Sequence, residues 1–224
     1  MATERSQATQ ATQATPTDRG QAFLEWFQVR SWILVAGAAI VVVAGAGYWF
    51  FQRSRQIRTI NAERSLMTAQ QSLASGNNAL AQSDLQKVIG RYQGTAAGTQ
   101  AAMLLAQMDY DQAKYPEGIN QLQRIVGDAA GSQPAVLSLI ADGYSQMGKA
   151  AEAAKYYTQA AAGSALANER AYYRAKAARS YATAGNTSEA KKVWSELAKD
   201  EKSPAVAAEA RVRLAELDAK RAGN

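Results

Sequence analysis

The 224-residue chain has no histidine and no cysteine. Those two absences exclude thiol nucleophiles, disulfides, Cys- or His-ligated zinc, iron–sulfur clusters, His-based triads and His-ligated haem. They leave the redox compartment open, because a chain without cysteine is at home in either. Aromatic bulk is scarce too: 4 Phe and 4 Trp stand against 49 Ala, although 47% of the residues are hydrophobic. The apolar content is therefore mostly small and helix-favouring. A thick β-sandwich core would need more β-branched and aromatic side chains.

A basic stripe is also missing. The net charge is +6, but residues 1–58 carry six Arg against Glu4, Asp18 and Glu25, which accounts for +3 beside one apolar segment. The other +3 is spread over residues 59–224 among 19 basic and 16 acidic residues. That is a mixed-sign surface, and nucleic acid is not expected as a partner.

What is present begins with a long apolar run. No charged residue occurs from Ser31 to Gln52, and the run from Trp32 to Phe51 is uniformly apolar. Twenty residues at ~1.5 Å each span about 30 Å, the thickness of the hydrocarbon layer. Trp26 and Trp32 stand at one end, Tyr48 and Trp49 at the other, where aromatic belts form, and Arg30 and Arg53 bracket the run. It is too long and starts too late for the core of a cleaved signal peptide. The expectation is a retained signal anchor, with a transmembrane helix over 31–52. Within it, Gly37, Ala38, Gly45 and Gly47 would let another helix approach closely, although no strict GxxxG occurs. Arg19 and Arg30 precede the span; Arg53, Arg55, Arg58 and Arg64 follow it. Taken literally, the positive-inside rule keeps the C-terminal domain in the cytoplasm, but long domains translocate largely regardless of charge.

The flanks divide by composition. Residues 1–21 form a polar low-complexity tail with the run QATQATQAT from Gln7 to Thr15, expected to be disordered unless partners order it. Residues 22–30, with Phe23, Leu24, Trp26 and Phe27, read as an interfacial segment. Residues 53–58 read as a basic juxtamembrane linker, and 59–224 as the main domain.

That domain repeats. Gly76, Ala113, Gly148 and Gly185 align at intervals of 37, 35 and 37. Five residues later stand Ala81, Gly118, Ala153 and Ala190, all small. Four further on come the bulky Leu85, Leu122, Tyr157 and Trp194, and three after those Val88, Ile125, Ala160 and Leu197. Seven residues before the first set lie Ala69, Ala106, Ala141 and Ala178. The spacing predicts helical hairpins that pack small against large and stack into one continuous core. Asn186 with Glu189 reads as a capping box, and Ser203-Pro204 as the N-cap and first position of a final helix over 204–219 that closes the stack.

The units from Leu104 to Val126, Leu137 to Ala161 and Ala175 to Leu197 resemble the tetratricopeptide repeat (TPR). The resemblance implies an all-α fold: a single transmembrane helix, then a TPR-like α-solenoid of about four hairpins and a capping helix. It also implies a concave protein-binding face. The family's groove positions fall on Met103, Gln107, Tyr110 and Asp111, then Ser138, Asp142, Ser145 and Gln146, then Tyr172, Ala175 and Arg179. The family's Lys/Asn clamp for C-terminal carboxylates is absent.

Other chemistry is thin. Ser188-Glu189-Ala190-Lys191 matches the Ser–Lys acyl-transfer signature but stands alone, and Ser188 reads as a turn residue. Asp109 and Asp111 lack the further oxygens that calcium needs. No phosphate-binding glycine loop occurs. The expectation is a non-enzyme without cofactor, metal or small-molecule substrate, whose partners are proteins. The order of tail, span and immediate TPR domain resembles the ancillary SecYEG translocon subunit family of bacterial inner-membrane proteins. That resemblance implies a periplasmic domain meeting a translocon or its chaperones. The alternative is an accessory subunit bracing a large respiratory or photosynthetic membrane complex.

Overall fold

The computed structural model describes residues 18–222 except residue 130, and the side chains of 35–219 with the same exception. The polar tail expected at 1–21 lies outside the described residues as far as residue 17. Among the described residues there are nine α-helices and no strand. The chain divides into two compact units, Met1–Arg55 and Gln56–Asn224.

Helix α1, Asp18–Ala74, is 57 residues long. Its portion from Val35 onward is long and apolar enough to cross a membrane, with a mean hydropathy of 1.6 and none of the apolar window buried. Val41 and Phe50 are each 71% exposed. Apolar surface on this scale is costly in water and at ease in lipid. Residues 22–30, expected as an interfacial segment, and 53–58, expected as a linker, are both helical turns of α1. For 53–58 the reason is local: no glycine or proline occurs between Tyr48 and Ser75, so nothing stops the helix before Gly76.

In the second unit the last turns of α1 pair with α2 (Asn78–Arg91). Then α3 (Ala96–Asp111) pairs with α4 (Tyr115–Ile125), α5 (Gln133–Gln146) with α6 (Ala150–Gly163), and α7 (Ala167–Thr183) with α8 (Thr187–Leu197). Helix α9, Pro204–Ala222, follows. Each helix packs on the next, and the first helix of one hairpin also touches that of the following one, α3 on α5 and α7 on α9.

The repeat register is the core. Ala69, Ala106, Ala141 and Ala178 are all 0% exposed, as are Ala81, Ala153 and Ala190. Gly118 holds the remaining small position, where an added Cβ would come within 3.1 Å of the Ala106 carbonyl oxygen and 2.6 Å of the Tyr110 ring. The bulky series Leu85, Leu122, Tyr157 and Trp194 is at most 3% exposed. Small residues bring the two helices of a hairpin together, and the large ones fill the space beneath.

The four aligned turn residues share one conformation. Gly76, Ala113, Gly148 and Gly185 all have positive φ, at 77°, 59°, 73° and 79°. The next residue closes the helix end in each case: the N–H of Asn77, Lys114, Lys149 and Asn186 donates to the carbonyl of Ser72, Asp109, Tyr144 and Tyr181, at 3.0, 2.8, 2.9 and 2.9 Å. This is the Schellman closure, repeated four times. It also corrects the capping box. The Asn186 side chain accepts from the Glu189 N–H at 3.4 Å, but the Asn186 N–H is already used by Tyr181, so the reciprocal bond does not form.

The last helix starts at Pro204 as expected and runs to Ala222 rather than 219. Ser203 contributes its carbonyl, which accepts from the Ala207 N–H at 2.9 Å. Its buried hydroxyl has no hydrogen-bond partner among the described residues. The expected side-chain cap is therefore absent.

Candidate protein-binding face

Three of the residues expected to line a groove sit within about one turn at the C-terminal end of α3, and two at the equivalent place on α5. Their helices neighbour each other, so Gln107, Tyr110, Asp111, Asp142 and Gln146, with Tyr115 from the start of α4, line one open cleft of about 300 Å³. Gln107, Asp111 and Gln146 are exposed, as is Ser145 on the same helix face.

Tyr110 fixes the floor. Its hydroxyl donates to the Leu139 carbonyl at 3.1 Å. Its ring fills the space that Cβ atoms at Gly118 and Gly143 would occupy. Burial raises the Tyr110 pKa further above its ordinary value, and the nearby Asp142 carboxylate adds to the effect. The phenol is a neutral donor throughout the physiological range. Met103 is half-buried and packs in the α3/α4/α5 core.

Asp142 is half-buried and held from one side. The Tyr157 hydroxyl donates to its Oδ1, and the Lys176 ammonium donates to the same atom at 2.6 Å. Lys176 in turn lies 4.8 Å from the centre of the Tyr157 ring and 5.5 Å from that of Tyr172. Tyr172 is 50% exposed. Burial and the Asp142 carboxylate both push the Tyr157 phenol pKa up.

Further along, Arg179 makes a two-pronged pair with Glu209 of α9, Nε to Oε1 at 2.8 Å and Nη2 to Oε2 at 2.6 Å. These hydrogen bonds hold the Glu209 carboxyl below its usual range, against an opposing effect of burial. Two expected groove positions turn inward: Ser138 is 7% exposed and Ala175 1%. Both sit where their helix meets its neighbour, and a face that is part groove and part packing surface cannot be split by register alone.

Sequence reasoning did not single out Tyr115, Lys176 or Glu209. Lys176 lies 34 residues after Asp142, close to one repeat, which is the one signal that could have paired them.

The remaining candidates separate. Lys191 pairs with Asp218 at 2.5 Å, and Ser188 is exposed on the first turn of α8. Asp109 is 6% exposed while Asp111 is exposed. Burial raises the Asp109 pKa, partly offset by Lys114. Among the described residues no group of three or more His, Cys, Asp or Glu gathers to hold a metal. In α1, Gly37, Ala38, Gly45 and Gly47 are exposed, and a Cβ added at any of the three glycines would meet nothing within 4 Å.

Residues 25–141 match the profile of the family described as "Tetratricopeptide repeat-like domain". The chain belongs to that family. Two crystal structures of nearly identical TPR-like repeats of the kinesin light chain type from Podosopora anserina, one of them a point variant, are similar to this TPR-like chain. Each is 18% identical, covers 73% of this chain and 89% of its own, and superposes with a TM-score of 0.56. At that identity the likeness establishes the solenoid fold alone. No curated protein matches the chain. The family match ends at Ile140-Ala141, so the third and fourth hairpins of this TPR-like chain rest on the internal register and the structure.

Proposed function

We propose that this TPR-like protein is a membrane-anchored adaptor, which holds a protein partner on the concave face made by α3, α5 and α7. The observation that carries this reading is the cleft between α3 and α5, where side chains one repeat apart converge on a single open space. TPR-like domains serve protein–protein contact, and the apolar part of α1 supplies the tether. The order of tail, span and solenoid supports a bacterial inner membrane as the location, with the solenoid on the periplasmic side, near a translocon or its chaperones. The four Arg after the span oppose that sidedness, but a domain of this length escapes the short-loop rule.

A photo-crosslinking residue at Gln107 should capture the partner, while one at the exposed Asn120 of α4 should not. Equal capture at both places, or capture at Asn120 alone, overturns the concave-face reading. Protease added to spheroplasts should digest the solenoid. Its full protection until lysis would place the domain in the cytoplasm.

The second reading is an accessory subunit bracing a multi-subunit membrane complex. The open surface around Gly37, Gly45 and Gly47 favours it, since small residues admit a neighbouring helix. Co-purification in mild detergent separates the two: translocon components support the first, stoichiometric pigment or redox subunits the second.

A further inference from the structure

Resting on that reading of the concave face, we propose that the α3/α5 cleft takes a cationic side chain, an arginine in first place, from an extended segment of the partner. The cleft is lined by two carboxylates, two carboxamides and two phenols, with no Lys or Arg among them. Asp111 is exposed and enters no ion pair among the described residues. Asp142 is partly neutralised, but asymmetrically. Tyr157 and Lys176 both donate to its Oδ1, and Oδ2 accepts no hydrogen bond among the described residues. One carboxylate is thus free, and the other is clamped by one oxygen with its second oxygen open.

The cations nearby are otherwise engaged. Lys176 is held over the Tyr157 and Tyr172 rings as well as by Asp142. Lys114 donates to Gln112 Oε1 at 2.8 Å. An incoming carboxylate would therefore face the unpaired Asp111 and the half-neutralised Asp142, whereas a guanidinium would meet two acceptors.

The aromatic wall points to the same chemistry. Tyr110 and Tyr115 have ring centroids 5.9 Å apart, and Tyr110 is immobilised by Leu139 and by its two glycine seats. A planar guanidinium stacks on such a face while its N–H groups reach carboxylates; an ammonium has no plane to stack. A wall set before binding loses little freedom on contact. Gln107 and Gln146 each offer a donor and an acceptor, which suits the peptide groups of an extended chain. A space of about 300 Å³ holds one long side chain and its backbone, and is too small for a folded domain.

The test uses the full chain in phosphatidylcholine nanodiscs, whose lipid carries no net charge, and fluorescence anisotropy of labelled Gly/Ser nonapeptides. The central residue is arginine, the neutral isostere citrulline, or glutamate. The arginine peptide should bind best, and Asp111→Asn should weaken it about two- to fivefold, within the range of a solvent-accessible pair. The citrulline peptide should be weaker and indifferent to Asp111→Asn. Gln107→Trp, which fills the cleft, should abolish binding, and melting curves establish that both variants fold. Equal binding of all three peptides, or glutamate in first place, with loss in Gln107→Trp, overturns the cation preference and leaves the concave-face reading standing. Binding indifferent to both variants, or no binding by any peptide, overturns the preference and counts against the face as well.

Discussion

The hydroxyl of Tyr110 donates to the carbonyl of Leu139 at 3.1 Å, tying the end of α3 to the middle of α5. The bond is possible because Gly143 sits beneath it. A Cβ there would lie 2.5 Å from the Tyr110 hydroxyl oxygen, 2.7 Å from its ring and 2.8 Å from Ile119 Cγ1. Gly143→Ala should therefore displace Tyr110 and destabilise the solenoid by about 1–3 kcal/mol, as overpacking does. Chemical denaturation of the purified chain checks this, and an unchanged midpoint would show that the ring moves freely.

Ala113 is the one non-glycine among the four turn residues, and its φ is 59°. A Cβ in the left-handed region is strained, and glycine is not. Ala113→Gly should raise stability by about 0.5–1 kcal/mol, despite the greater freedom of glycine in the unfolded chain. A lowered melting temperature would contradict the repeated-turn account.

Lys149 precedes α6 with φ −86° and ψ 66° and makes no side-chain cap. Asn186, at −82° and 67°, caps α8 from the same backbone geometry. Lys149→Asn should gain about 1 kcal/mol. The gain should appear in the denaturation midpoint without a change in slope.

Trp194 is 1% exposed and holds the bulky position of the last hairpin. Trp194→Ala should cost about 3–5 kcal/mol, like other large-to-small changes in a core. A loss below about 1 kcal/mol would mean that α9 collapses onto the vacated space.

Glu209 titrates below its ordinary value because Arg179 bonds it. A carboxyl depressed in the folded state stabilises above its unfolded pKa, near 4.5, and that contribution is lost as pH falls through the lower folded value. Glu209→Gln should therefore lower the melting temperature at pH 7, by a pair worth at most about 1 kcal/mol given its partial exposure. The difference from the unaltered chain should close towards pH 3. Asp109, whose pKa burial raises, acts in the opposite sense, but it is present in both proteins and cancels.

The sequence by itself determined the repeat. Turn residues at 37, 35 and 37, and small and large residues at fixed offsets from them, follow from the need of each hairpin to bury the same face against the next. The four hairpins, the buried alanines and the knob at Trp194 come from that periodicity alone. The apolar stretch of α1 was equally legible, because its length and lack of charge are properties of composition. Tertiary structure decided what periodicity cannot encode. The Asn186 N–H was already taken by Tyr181, so the capping box closed on one side only. Ser138 and Ala175 turned into the packing surface while Asp142 and Arg179, four residues beyond each, stayed accessible, because the line between groove and core depends on how far the neighbouring hairpin leans over. The clamping of Asp142 by Tyr157 and Lys176, and of Arg179 by Glu209, joins residues 15 to 34 positions apart. The first is set by the packing of α5 on α6 and the others by the stacking of successive units, which no single helix specifies.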